Sequence, residues 1–284
     1  MSPIQFNRFR NYFKVFSLMG AIIVIIVSHT WASSNKRTFL FLPSQTIFAP
    51  LIIDPRELGL GLVKFTNINQ WEGSIGESYE IMQYRPDSRN RWGFGIRAAA
   101  FPWLGQEGRT FPMRANDWWL GVYLSHSNGN FSSRLEYTHI SAHLGDALFE
   151  EQSPIVYSRE FIRWLFSYNF LSQIRIYGGG GALVHSIPTE KPLFFQAGFE
   201  FFTLPLFSNT LPIQWYTGCD FQYQQELGGI VDVAAQLGIR LAESSKISSR
   251  GIRIAISYYD GNYQWGQFFN QRDSNFGLGI YFDN

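Results

Sequence analysis

A single cysteine, Cys219, stands in a chain of 284 residues, so no disulfide framework holds it together. No His, Cys and carboxylate spacing matches a structural metal site either. Beyond Val27 no apolar stretch reaches the ~20 residues that a membrane helix needs, and the 3.6-residue period of an amphipathic helix appears nowhere convincingly. No Pro/Ser-rich linker or block of like charge divides the chain. The formal net charge of +1 is spread evenly, which leaves no basic surface for nucleic acid and no acidic tail.

What is present begins with a targeting signal. Arg8, Arg10 and Lys14 precede an apolar run from Val15 to Val27, and the small-residue exit "SHTWASS" follows. The run is shorter than a spanning helix, so cleavage is expected after Ala32. An uncleaved anchor is the alternative. No cysteine lies at this exit to accept a lipid. The expected division is a signal peptide over 1–32, an extended periplasmic segment over 33–56 and one large domain over 57–284.

The chain as a whole is aromatic without being uniformly greasy: 27 Phe, 14 Tyr and 9 Trp accompany 26 Gly. Its segments alternate. In "REFIRWLFSYNF", Ile162, Trp164, Phe166 and Tyr168 share one face, while Arg159, Arg163, Ser167 and Asn169 share the other. The same pattern sets Val231, Val233, Ala235, Leu237 and Ile239 against Asp232, Gln236 and Arg240, and it sets Ile252, Ile254 and Ile256 against Arg253 and Ser257. About twelve such segments follow one another, the first near 57–66 and the last near 274–283. Links after the second, fourth and sixth are short, and those after the third, fifth and eleventh are long.

An even number of alternating strands, with tight turns at one end and long loops at the other, predicts an all-β fold: a transmembrane antiparallel up-and-down β-barrel in the bacterial outer membrane. A soluble exported β-sandwich also alternates. Against it stand the aromatic content, the lack of paired cysteines and lone charges placed mid-strand opposite unbroken apolar rows. Trp92, Trp118, Trp119, Trp164 and Trp215 read as an interfacial girdle. The lumen set Arg163, Glu200, Asp220, Asp232, Arg240 and Arg253 carries both signs, which favours a packed, hydrated interior over a charge-selective pore. "DPRE" (Asp54 to Glu57) is expected to cap the periplasmic mouth by ion pairs. Gly178 to Gly181, inside a strand, mark a bend or close strand contact and lack the following helix of a phosphate cradle.

Four stretches carry a family resemblance. "FAPLIIDPRE" (Phe48 to Glu57), "HISAHLGD" (His139 to Asp146), "DFQYQQE" (Asp220 to Glu226) and "GNYQWGQFF" with the closing "FGLGIYFD" resemble the bacterial family catalogued as domain of unknown function 1207, whose members are predicted envelope proteins. In "HISAHLGD" this chain departs from the family's H-x-S-S-H-L-G-D-E run at Ala142 and, just beyond, at Ala147. The resemblance implies fold and location and supplies no activity or cofactor.

The candidate chemistry lies in "RLEYTHISAHLGD" (Arg134 to Asp146). Charge at bilayer depth is costly on the lipid side, by roughly 2–4 kcal/mol for Arg at the midplane, so Arg134 and Glu136 should face the lumen. Leu135, Tyr137, His139, Ser141 and His143 then face lipid near the outer leaflet. A serine hydroxyl becomes a nucleophile when a base takes its proton, and His-x-Ser on a strand puts both groups on one face. The same arrangement on an outward strand resembles outer-membrane phospholipase A and lipid A 3-O-deacylase, which hydrolyse acyl esters and use a third polar residue to orient the His. Here Asp146 or Glu150 is the candidate orienter of His139, or His143 is the base. The plainer reading makes His139, Ser141 and His143 a polar rim. Three functions therefore stand open: a structural or interaction barrel, a lipid acyl-ester hydrolase, and a small-solute channel. Outer-membrane lipid is the expected partner.

Overall fold

Strand β7 (Tyr157–Phe170) exposes Ile162 and Trp164 by 39 % and 51 % while Leu165 is fully buried and Arg159, Arg163 and Ser167 lie with it on the covered side. Apolar side chains out and guanidinium groups in is the inversion expected of a wall whose outer face meets hydrocarbon. It also rules out the sandwich, in which the apolar rows would pack on a common core.

The computed structural model describes residues 38–283 except 67, 151, 172, 207–212, 226–228 and 245–248. The signal peptide expected over 1–32 lies outside the described residues. Thirteen strands follow in order: β1 (Thr38–Phe41), β2 (Leu60–Phe65), β3 (Gln70–Arg85), β4 (Asn90–Gly105), β5 (Met113–Asn128), β6 (Phe131–Leu144), β7, β8 (Ile174–Ile187), β9 (Leu193–Phe202), β10 (Ile213–Gln224), β11 (Val231–Ala242), β12 (Gly251–Asn262) and β13 (Arg272–Asp283). Strands β2 to β13 each pair antiparallel with their neighbours in sequence, and β13 pairs with β2 through Gly277–Phe282 and Leu60–Phe65. The result is the closed twelve-stranded barrel that the alternation predicts. Closure matters physically, because an open sheet edge in lipid would leave backbone groups without partners.

The two ends differ. At one end β5 and β6 meet through the tight turn at Gly129, whose φ of 60° is left-handed and easy only for glycine. At the other end lie the long links, over 145–156 and 263–271, each with a single 3-10 turn (Asp146–Leu148 and Gly266–Phe268). These links fold over the opening, where Leu148, Trp265 and Phe268 pack with Trp103, Val63 and Phe65 in one buried cluster. Trp103 and Trp265 stack with centroids 4.8 Å apart.

Two expectations need correction. The segment expected to be extended and periplasmic over 33–56 is described from residue 38, where it supplies β1, which pairs with β3 through Met82–Arg85, and it then enters the lumen. Ile47, Phe48, Leu51, Ile53, Asp54, Arg56 and Leu58 are all buried there. The physical reason is the row of inward arginines, which leaves donors that need acceptors. Trp119 is the second correction, since period two on β5 sends Trp118 outward and Trp119 inward, against Phe101 at 5.5 Å.

Candidate functional site

Inside the barrel the plug formed by residues 46–58 is held by charged side chains at both its backbone and its own polar groups. Glu80 accepts from Ile47 N at 2.9 Å and Glu200 accepts from Ile52 N at 2.9 Å. Arg175 donates to Ala49 O at 3.1 Å and to Pro50 O, and Arg253 donates to Ile52 O at 3.1 Å. The plug thus has its backbone groups satisfied by the wall instead of by secondary structure.

"DPRE" is the anchor of this plug and does not cap the periplasmic mouth. The Asp54 carboxylate accepts from Arg56 N at 2.9 Å, which bends the chain around Pro55, and from Gln196 and Gln222 at 3.0 and 3.1 Å. Glu57 accepts both Arg134 amino groups, at 3.0 and 2.7 Å, a two-pronged pairing. Burial alone would push the Glu57 carboxyl up, but Arg134 and Arg97 outweigh it and hold the group at about 2. Arg56 sits between the Phe101 and Trp265 rings, 4.7 and 4.8 Å from their centroids, with Glu72 at 3.5 Å. Glu136 continues the network to Arg97 and, at 2.7 Å, to Arg163. All six members of the predicted lumen set are buried. Arg97, Arg134, Glu136 and Arg175 complete the network, and of these four Arg97 and Arg175 drew no notice in the sequence.

The outer face of β6 is set by the same period. Arg134, Glu136, Thr138, Ile140 and Ala142 are buried inward, so Leu135, Tyr137, His139, Ser141 and His143 point out. Ser141 Oγ lies 2.9 Å from His143 Nε2. His139 Nδ1 lies 3.6 Å from Glu160 Oε1, and Tyr137 OH donates to Glu160 Oε2 at 2.9 Å. The β6–β7 register puts Glu160 directly opposite His139 and Ser158 opposite Ser141. On the other flank Trp118 stands opposite Ser141. The structure therefore brings His139, Ser141 and His143 together on one face.

Asp146 is not part of this cluster. It starts the 3-10 turn beyond the strand end, exposed, and its carboxylate contacts neither histidine; Glu150 lies farther along the same link, also exposed. The carboxylate that does reach His139 is Glu160, a residue given no role from the sequence. Its signal was present: two residues before outward Ile162, it puts an acid on the apolar face. His126 and Ser127, by contrast, separate as the alternation requires, His126 packing on Trp92 at 4.2 Å and Ser127 buried inward. A Cβ at Gly179 would sit 2.0 Å from Trp164 O, so the glycine run marks close strand contact. Among the described residues no group of three or more His, Cys, Asp or Glu could hold a metal ion.

Chemically, the outer cluster has the two contacts of a serine hydrolase on neighbouring histidines: nucleophile to imidazole at His143, imidazole to carboxylate at His139. Comparison with known proteins adds little to this geometry. The profile of the family described as "Protein of unknown function (DUF1207)" matches residues 27–284. No curated protein matches the chain. Among solved structures, the translocator domain of the autotransporter NalP from Neisseria meningitidis is similar at 11 % identity and a TM-score of 0.35, over 82 % of this chain and 91 % of that one.

Proposed function

Because the chain belongs to the DUF1207 family, described only as of unknown function, we propose its role from the geometry: a plugged outer-membrane β-barrel whose outward β6–β7 face hydrolyses acyl esters of membrane lipid. Export by the N-terminal signal, with cleavage after Ala32, is part of this reading. The observation that carries it is Glu160 opposite His139 on the same outward face as Ser141.

Ser141 Oγ attacks the ester carbonyl carbon, and His139 takes its proton. The ester C–O bond then breaks, the proton passes from His139 to the departing alcohol oxygen, and an acyl group remains on Ser141. Water, deprotonated by His139, releases the fatty acid and restores the hydroxyl. Glu160 positions His139 and stabilises its protonated ring. His143 holds the Ser141 hydroxyl between turnovers. A turn about the Ser141 Cα–Cβ bond carries Oγ from His143 to His139, since the two histidines flank it on one face.

The lipid-facing setting supports a membrane substrate, because exposed Trp118 and Leu120 on β5 flank the cluster. The test is release of free fatty acid from vesicles of phosphatidylethanolamine and lipid A by the reconstituted protein. Release that vanishes in Ser141→Ala supports the reading; equal release from both proteins, or none from either, removes it. The lumen favours a second, compatible role: an ion-paired plug makes a non-conducting structural barrel a better fit than a small-solute channel.

A further inference from the structure

The lumen beside β2, β12 and β13 holds a cavity of about 880 Å³. Asp273 and Asp283, near opposite ends of β13, both border it, and at about 3.3 Å per residue this makes it roughly 30 Å long. So much length in that volume gives a narrow, chain-shaped space. Its two ends differ. At the tight-turn end Glu243 and Arg250, both exposed, stand on its rim. At the other end Trp265, 2 % exposed and stacked on Trp103 within the lid cluster, closes it. A ligand therefore reaches it from the tight-turn end.

Acid predominates on the lining, with seven carboxylates against two guanidinium groups. Most of these acids are engaged. Arg134 and Arg97 hold Glu57, and Arg253 and Arg240 hold Asp283. Arg163 lies 3.6 Å from Asp54, and Arg56, which does not itself border the cavity, lies 3.5 Å from Glu72. Asp273 is different. Among the described residues no lysine, arginine or histidine pairs with it, and Glu72 is close enough to repel it. Asn275, 3 % exposed on the same inward row of β13, donates its Nδ2 to Asp273 and leaves Oδ1 without a donor. Gln264 Oε1, at the start of the lid link, is likewise buried without one. Among the described residues the one other unmatched side-chain atom on the lining is the Ser78 hydroxyl, so no unmatched N–H group borders the space.

The closed end of the cavity thus lacks donors and not acceptors. An anion meets only like charge there, and a hydrocarbon leaves the buried oxygens unpaired. An ammonium group supplies three donors and the missing positive charge. A metal ion fits less well, because among the described residues no three His, Cys, Asp or Glu side chains converge. Along the rest of the wall Leu58, Val63 and Phe65 offer apolar surface to a hydrocarbon chain. We infer that this cavity binds a linear aliphatic amine, admitted from the tight-turn, periplasmic end, with its ammonium group on Asp273, Asn275 Oδ1 and Gln264 Oε1. The site lies inside the wall, apart from the Ser141 face on β6, and does not depend on the hydrolytic reading.

The test uses the whole protein folded in a non-ionic detergent and titrated calorimetrically with α,ω-diaminooctane, with α,ω-octanediol as the uncharged chain of the same length. The amine should bind saturably, and the diol about tenfold or more weakly, because it lacks the charge-assisted bonds. Asp273→Asn keeps the shape and removes the charge, so it should weaken the amine about tenfold or more and leave the diol unchanged. Asp260→Asn, which alters the exposed pair with Arg272, should change neither. No saturable binding of the amine by the folded wild-type protein overturns the inference, as do equal affinities for amine and diol. Undiminished amine affinity in a folded Asp273→Asn barrel also overturns it, and so does an equal loss in Asp260→Asn, which would mean adsorption to surface charge. Should Asp273→Asn not fold, the comparison of amine with diol on the wild-type protein still decides.

Discussion

Glu160 lies across the β6–β7 ladder from His139, with Oε1 3.6 Å from Nδ1, on the face of the barrel that otherwise presents Ile162, Trp164 and Phe166. A carboxylate and an imidazole side by side on an apolar wall cost stability unless they serve each other. That pairing separates the two histidines of the cluster and gives them different expected phenotypes.

His139→Ala and Glu160→Gln should both depress hydrolysis, the first by about 10³-fold or more and the second by roughly 10²–10⁴-fold, as loss of a base and of its positioning acid do in serine hydrolases. His143→Ala should retain most activity. Steady-state fatty-acid release from the three variants checks this. The reverse order, with His143→Ala inactive and His139→Ala active, would make His143 the base.

Removing Arg134 takes the two-pronged partner from Glu57 and one of three arginines from Glu136, leaving Glu57 with Arg97 at 3.5 Å. Arg134→Met should therefore destabilise the plugged barrel by about 3–5 kcal/mol. Urea unfolding in detergent micelles, followed by the gel shift between folded and unfolded barrels, measures it. A cost below about 1 kcal/mol, the range of an exposed pair, would contradict the buried network.

The pH response of the plug follows from Glu57. Its folded carboxyl titrates at about 2 against an ordinary 4.5, so the unfolded form binds the proton more readily. The stabilisation is fully present above pH 4.5 and is lost as pH falls towards 2. Hydrogen exchange at the Leu51 and Ile52 amides should stay slow from neutral pH to 4.5 and quicken below it. Protection that is already gone by pH 5 would show that Glu57 is not ion-paired.

The two faces of one strand should answer oppositely to charge. Ile254→Arg on β12 places a guanidinium in the apolar belt and should cost about 2–4 kcal/mol if the site lies near the midplane. Its neighbour Arg253, already a guanidinium, is buried inward against Asp283. Reversible unfolding in lipid vesicles gives the number, and a neutral Ile254→Arg would place that face in water.

Much of the wall was legible because period two is a local property. Ile162, Trp164 and Phe166 needed no partner strand to declare their face, and the contrast of tight turns and long loops survived in the fold. What failed was non-local. Residues 46–58 have no periodicity, so nothing in "FAPLIIDPRE" indicates that Arg175, Arg253 and Glu200, far away in sequence, would draw it into the lumen. At Trp119 the place in the alternation outweighs aromatic type, and the indole turns inward. In the outer cluster, Ser141 and both histidines were readable from spacing on one strand. The outward face of Glu160 is equally local, but its pairing with His139 is not, since the link over 145–156 hides the register that sets the two opposite. Asp146 and Glu150, nearer in sequence, are the carboxylates that the linear order offers instead.

A nucleophilic serine aimed at lipid is the central claim. A fluorophosphonate probe applied to the protein folded in detergent, with the modified peptide identified by mass spectrometry, tests it directly. Modification at Ser141, abolished in His139→Ala and kept in His143→Ala, is the expected result. No modification of the folded wild-type barrel, or equal modification of Ser141 and Ser158, would contradict it.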